Sequence, residues 1–197
     1  MNRQDAKNAK KTVIDKDATP HEPDGTGNAR VHIAPVVPED VERISALAAD
    51  IWWQHYPGII SAAQIEYMLA QRYDPRILGE ELQRDGVWWD KLLIGNEIIG
   101  FSSGFLTDRP DEMKLDKLYV RQDRQRRGYG GMLIERACVF ARDLGCARLT
   151  LAVNKRNWNA IAAYGKYGFE VEAAVVKDIG GGFVMDDYIM GKRLQGR

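Results

Sequence analysis

Leu118-Tyr119-Val120-Arg121-Gln122-Asp123-Arg124-Gln125-Arg126-Arg127-Gly128-Tyr129-Gly130-Gly131 is the stretch that decides how the chain is read. An apolar strand ending at Val120 runs into a basic, glycine-rich turn. That turn opens an amphipathic helix with Leu133, Ala137, Phe140 and Leu144 on one face. Glycines allow close backbone approach, and N–H groups at a helix start sit at the positive end of its dipole. Arg124, Arg126 and Arg127 add charge beside them. Such a turn is an anion cradle suited to phosphate or pyrophosphate. It is not a P-loop, which ends in Gly-Lys-Ser/Thr, and Leu133 stands where a dinucleotide fingerprint needs its third glycine. Tyr129 is the sole stacking aromatic among the arginines, so nucleic acid is a poor fit.

Upstream, a short strand over 31–37 ends at Pro38, whose position suits the first turn of a helix with Val41, Ile44, Leu47, Ala48 and Ile51 on one face. Tyr56-Pro57-Gly58 breaks that pattern. Helical spacing resumes over 61–73 with Ile65, Met68 and Leu69, and a third short helix follows Pro75. The period then changes to that of a hairpin, 87–94 and 98–106 about Gly95-Asn96. Downstream of a strand over 115–120, a second strand is expected over 147–153. Asn157 then caps a helix carrying Ala160, Ile161, Tyr164 and Tyr167, closed by Gly168. A last hairpin, 169–177 and 183–192, turns at Gly180-Gly181-Gly182. Hairpin-paired strands mixed with strands joined through helices imply a mixed α/β (α+β) sheet flanked by helices.

Composition bounds the partners. The 197 residues carry 28 Lys plus Arg against 28 Asp plus Glu, so no global charge draws the chain to nucleic acid or an anionic membrane. No apolar run approaches the roughly 18 residues of a membrane span, and the N-terminus lacks a secretory apolar segment, which sets a cytoplasmic expectation. His21, His32 and His55 are too scattered for a metal site, and none is expected. Cys138 and Cys146 fall among apolar residues and are expected as buried, inert thiols. Residues 1–30 hold little to bury and are expected as a disordered polar tail before a folded domain over 31–195. Trp88 and Trp89 alternate on a strand, so one is expected in the core and the other at the surface or in an interface.

Two constellations together resemble the GNAT family of acetyl-CoA-dependent N-acetyltransferases. The family signature of Gln or Arg, two residues, Gly, one residue, then Gly or Ala is matched by Gln125-Arg126-Arg127-Gly128-Tyr129-Gly130. The later pattern of Asn, Ala, Tyr and a closing Gly-Phe is matched by Asn157, Ala160, Tyr164, Gly168 and Phe169. The resemblance spans Val31 to Leu194 and implies a mostly antiparallel central sheet, splayed at its two central parallel strands. Acetyl-CoA would lie in that gap, its pantetheine arm along Leu118, Tyr119 and Val120 and bonded to main-chain groups of Leu118 and Val120. Its pyrophosphate would sit on the amides of Gln125, Arg126, Arg127, Gly128, Tyr129, Gly130 and Gly131. Asn154, Asn157 and Lys166 would adjoin the cofactor, and Tyr164 would serve as general acid at the thioester sulfur.

The base is less determined. The family often carries a carboxylate six residues before the strand valine, and Lys114 stands there. Asp116, two residues on along the same strand, is the expected substitute, with Glu112, Asp186 and Asp187 as further carboxylates nearby. In the family the segment after the first strand walls the acceptor site, and here it holds Trp52, Trp53, His55 and Tyr56. Aromatic walls suit a cationic amine of a small molecule or peptide. Of the adjacent tryptophans, one is expected to face the core. The alternative reading is a catalytically silent, acyl-CoA-binding regulatory module. An exposed edge in the C-terminal hairpin is expected as a homodimer contact.

Overall fold

Apolar alternation around Gly95-Asn96 becomes a two-residue hairpin in the computed structural model, which describes residues 29–194. The hairpin joins β2 (Val87–Ile94) to β3 (Glu97–Leu106), with Ile94 opposite Glu97. Together with β1 (Val31–Pro35), β4 (Glu112–Val120), β5 (Arg148–Asn154), β6 (Glu170–Gly180) and β7 (Phe183–Arg193) it builds one seven-stranded sheet, ordered β1-β2-β3-β4-β5-β7-β6. β4 and β5 pair in parallel, and every other neighbour is antiparallel. The expected mixed, mostly antiparallel α/β sheet is the observed one. All but the last two residues of the expected tail lie outside the described residues.

Helices cover both faces. One face carries α1 (Val41–His55), α2 (Ala62–Arg72) and α3 (Pro75–Gln83), whose Ile44, Ala48, Ile51, Ile65 and Leu78 pack with Trp89 and Phe101. Ser61 caps α2 by accepting from Gln64 N–H at 3.2 Å, and Asp74 caps α3 by accepting from Arg76 N–H at 2.9 Å. The other face carries α4 (Tyr129–Asp143), whose Ile134, Ala137 and Phe140 meet Met113, Leu115, Leu149 and Leu151. α5 (Trp158–Lys166) follows β5, capped by Asn157, whose Oδ1 accepts from Ala160 N–H at 3.3 Å. Among the described residues no helix is long and apolar enough to cross a membrane.

Three differences from the sequence reading have physical causes. β4 begins at Glu112, three residues earlier than expected, because Glu112 is buried with its carboxylate paired to Arg148 Nε at 2.9 Å. Leu115 lies opposite Gly104 and Lys117 opposite Ser103, leaving Asp116 as the extra residue of a β-bulge. Trp88 and Trp89 are both buried, since helices cover both faces of β2. Trp88 packs 5.2 Å from Phe140, and Trp89 packs 5.9 Å from Phe101. β6 is an edge strand, exposed along almost its whole length.

Gly104 is the tightest point of the sheet. A Cβ there would stand 1.8 Å from the Trp88 ring and 2.3 Å from the Lys114 carbonyl oxygen. Gly104→Ala is therefore expected to destabilise the protein by about 1–3 kcal/mol, the usual cost of overpacking, measured by denaturant unfolding.

Candidate active site

β4 and β5 pair only across Glu112–Lys114 and Arg148–Thr150. Beyond that point they part, and each keeps only its outer neighbour, β3 or β7. Arg121 N–H donates to the Ile99 carbonyl at 2.8 Å. By the alternation of antiparallel ladders, the main-chain groups of Leu118 and Val120 then turn away from β3, toward the gap. The Val120 carbonyl accepts from Gln125 Nε2 at 3.0 Å, so its N–H and the Leu118 groups are the ones left facing outward. Backbone groups left unpaired inside a sheet call for a partner, and an extended amide-bearing arm supplies one.

At the end of β4 the chain makes a 3-10 turn, Gln122–Arg124, then takes a left-handed backbone at Arg126 (φ 60°) and at Gly128 (φ 85°). Gly128 is the N-cap of α4 and has no side chain to cap it, so the first N–H groups of the helix are open to a ligand. A Cβ at Gly128 or Gly130 would meet nothing within 4 Å, so this surface is clear. Gly131 acts in packing instead. A Cβ there would stand 1.8 Å from the Tyr167 hydroxyl, so the glycine lets α4 approach the end of α5. Arg124 is engaged by Asp123 and Glu97, whereas Arg126 and Arg127 are exposed and have no ion pair among the described residues. The loop fits a pyrophosphate.

Tyr164 projects from α5 into the apolar cluster that includes Leu118, 5.8 Å from Phe169. Its hydroxyl has no hydrogen-bond partner among the described residues, and burial pushes its pKa up to about 12. It stands close enough to Tyr56 and Tyr119 that their ionised forms would repel its own. Asn157, besides capping α5, faces His55, whose imidazole is lowered by burial. Asn154 Oδ1 accepts from Arg156 N–H at 3.0 Å, and the Arg156 guanidinium donates to Ile59 O at 2.9 Å and Gly58 O at 2.6 Å. Arg156 thereby ties the turn after α1 to the end of β5. Lys166 is exposed at the end of α5.

On the opposite face lies an aromatic nest. Trp52 and Tyr56 rings are 4.3 Å apart, Phe101 and Tyr119 5.4 Å, and Tyr73 and Tyr119 6.2 Å. Tyr56 and Tyr119 hydroxyls are 3.4 Å apart, and burial pushes both phenols well above their usual range. Of the expected acceptor wall, Trp52 is core, His55 and Tyr56 are half-buried, and Trp53 turns to solvent at 42% exposed. The sequence pattern does not flag Tyr73 or the Tyr119 ring, because Tyr73 lies on no acceptor segment and the family resemblance engages Tyr119 only through its backbone.

Asp116 does not have the environment of a base. It pairs with Arg72, with Lys117 Nζ at 3.0 Å and with Lys114 Nζ at 3.5 Å. Burial opposes its ionisation, but Arg72, Lys117 and Lys114 outweigh burial and hold the carboxyl at about 2. Lys117 itself is buried, bonded also to Glu81 at 2.9 Å and seated 4.7 Å over the Trp89 ring. Asp187 is the contrary case. It lies on β7 opposite Asn154, buried, with Oδ1 lacking any hydrogen bond, and burial raises it to about 6. Cys138 and Cys146 are buried, and burial raises both thiols.

Comparison with known proteins places this site in a family. The acetyltransferase (GNAT) family pattern matches residues 46–169, well over half of the chain. The chain belongs to the GNAT family: it is an N-acetyltransferase whose acyl donor is acetyl-CoA. It is 27% identical over 161 residues to a spermidine N(1)-acetyltransferase of Thermoplasma acidophilum, covering 80% of this chain and 93% of that one. The crystal structure of the PaiA N-acetyltransferase of Thermoplasma acidophilum with coenzyme A superposes with a TM-score of 0.73 at 24% identity, over 83% of this chain and 99% of that one. A GCN5-related N-acetyltransferase of Rhodopseudomonas palustris gives 0.71 at 23% identity, over 89% and 100%. The two structures share the fold.

Because the carboxyl of Asp116 is lowered from 3.8 to about 2 in the folded chain, its contribution to stability is complete above about 4 and is lost as pH falls through 2. Asp116→Asn is expected to cost about 2 kcal/mol at pH 7 and progressively less below pH 4, read by denaturant unfolding at both pH values.

Proposed function

We propose that the chain transfers the acetyl group of acetyl-CoA to a primary amine of a small cationic molecule or peptide, by direct attack in a ternary complex. The observation that carries this reading is Tyr164. Its half-buried, unpartnered phenol lies near both the strand gap and the aromatic nest, where donor and acceptor would meet. Electron-rich ring faces at Tyr56 and Tyr119 suit an ammonium group. The spermidine-acetylating relative supports a polyamine-like acceptor.

In this reading the acetyl-CoA arm lies along Leu118, Tyr119 and Val120, and its pyrophosphate rests on the amides from Gln125 to Gly131 beside Arg126 and Arg127. Asn154 and Asn157 hold the floor of the gap, and Lys166 faces solvent beside it. A free alkylamine with a pKa of about 10.4 is mostly protonated at neutral pH and must lose a proton before it attacks. The Val120 N–H stabilises the oxygen that becomes negative as the C–N bond forms. Tyr164 stays protonated across the neutral range and donates toward the departing sulfur. The burial that raises Tyr164 also raises the basicity of a thiolate formed beside it, so donor and acceptor stay matched. The exposed β6 edge supports a homodimer paired through that edge.

Release of free CoA thiol from acetyl-CoA, followed against polyamines, amino acids, aminoglycosides and short peptides, tests the reading. Turnover is expected with polyamines, and silence across the panel despite saturable acetyl-CoA binding would overturn it. Tyr164→Phe is expected to lower kcat by about 10²–10⁴ with the KM for acetyl-CoA little changed, and an unaltered kcat would remove Tyr164 as the acid.

A further inference from the structure

A base for the acceptor ammonium has to be buried in the site, free of a permanent cation and charged at working pH. Asp116 fails the second condition, since Arg72, Lys117 and Lys114 all pair with it. Glu112 is tied to Arg148 at the closed end of the β4–β5 pair, and Glu81 is bonded to Lys117. Asp186 is largely exposed and paired with Lys155. We propose that Asp187 is the general base, the carboxylate that removes the proton from the acceptor ammonium. The proposal rests on the acetyl-transfer reading above and names a residue that the family's strand position, occupied by Lys114, does not supply.

The geometry assembles around β7. Asp187 is opposite Asn154, the last residue of β5, where the strands have already parted. It is 8% exposed, and its Oδ1 has no hydrogen-bond partner. The groups that face it are Lys114 from β4, Lys155 from the turn after β5, Asp186 beside it and Tyr56 from α1. The two lysines are already engaged, Lys114 by Asp116 at 3.5 Å and Lys155 by Asp186. Asp187 thus keeps a free oxygen while its neighbours neutralise one another. Tyr56 feels the charge of both Asp187 and Tyr164, which puts acid and base around the same phenol. Burial raises the carboxyl to about 6, with Lys114 and Lys155 pulling the other way and Asp186 reinforcing the rise, so it is ionised yet appreciably basic near neutrality.

Protons and electrons balance across the transfer. Asp187 takes one proton from R–NH3⁺, and the freed nitrogen lone pair forms the C–N bond at the thioester carbonyl. When the C–S bond breaks, the electron pair leaves on sulfur and receives the Tyr164 proton. The second nitrogen proton restores the phenol, and Asp187 later releases its proton to water. Amide, thiol and one proton are the products.

Asp187→Asn is the test, with spermidine and hydroxylamine as acceptors, the latter largely unprotonated at neutral pH. The variant is expected to lose about 10²–10⁴ in kcat with spermidine but less than about tenfold with hydroxylamine. The wild-type fall in kcat below pH 6 should disappear with it. Its thermal midpoint at pH 8 should rise, because an unpaired buried charge is gone, while Asp186→Asn, which removes a like charge and releases Lys155 toward Asp187, should leave kcat at pH 8 within about threefold and move the acid limb to lower pH. Equal losses with both acceptors, an unaltered Asp187→Asn, or an acid limb that survives there but vanishes in His55→Gln would each overturn the proposal. NMR titration of the wild-type Asp187 carboxyl decides the matter without any acceptor, since a midpoint below 4 overturns it. Silence of the wild type toward every amine would instead count against the acetyl-transfer reading itself.

Discussion

Everything functional in this protein depends on two parallel strands that stop pairing after three residues each. Glu112–Lys114 and Arg148–Thr150 hold β4 and β5 together at one end, and beyond them the strands diverge. An open ladder in the middle of a sheet is unfavourable in itself, because backbone donors and acceptors there have given up water without finding partners. The fold tolerates it because each strand stays fully laddered on its outer side, β4 to β3 and β5 to β7. The inner wall is then lined with Leu118 and Tyr164, and the turn at the end of β4 presents uncapped N–H groups with Arg126 and Arg127 beside them. Sheet, loop and helix thus leave unpaired strand amides and open helix N–H groups along one gap.

The two faces of the sheet divide the remaining work. One face is apolar, packed by α4 and closed by α5, and carries Tyr164. The other, under α1, α2 and α3, gathers Trp52, Tyr56, Tyr73, Phe101 and Tyr119 with the buried ion pairs of Lys117. The bulge at Asp116 joins these roles, since one extra residue places Asp116 and Lys117 on the same face. Asp116 is then an anchor that draws Arg72 of α2 onto β4, and α2 in turn reaches the last hairpin through Gln64, which donates to Val184 O at 2.7 Å. The face under α1, α2 and α3 is held by buried ion pairs where the face under α4 is held by apolar packing.

Asp116 and Asp187 show how little residue type settles. Both carry buried carboxyls on interior strands of one sheet, yet one is held at about 2 and the other raised to about 6. Burial acts on both in the same direction. Three cations on Asp116 reverse it, while the lysines facing Asp187 are engaged by other carboxylates. Spacing along β4 pointed to Asp116 because it lies two residues from Lys114, but a bulge and an arginine 44 positions earlier in the chain changed what that aspartate can do. Tyr73 and the ring of Tyr119 were hidden for the same reason, as their neighbours come from distant segments. Trp88 shows the point in the core: alternation placed the two tryptophans on opposite faces, but only the packed helices show that both faces are covered.

The sequence by itself determined the order of strands and helices, the hairpin at Gly95-Asn96, the cap at Asn157, the basic glycine-rich turn that opens α4 and the family to which the chain belongs. These are local matters, set by side-chain periodicity, by φ preferences and by hydrogen bonds that span a few residues. Tertiary structure alone decided where β4 and β5 part, which tryptophans are covered, and which carboxylate is neutralised by cations and which is left bare. The physical reason is that burial and electrostatic potential are sums over neighbours in space. Those neighbours are brought together by the sheet and not by the chain.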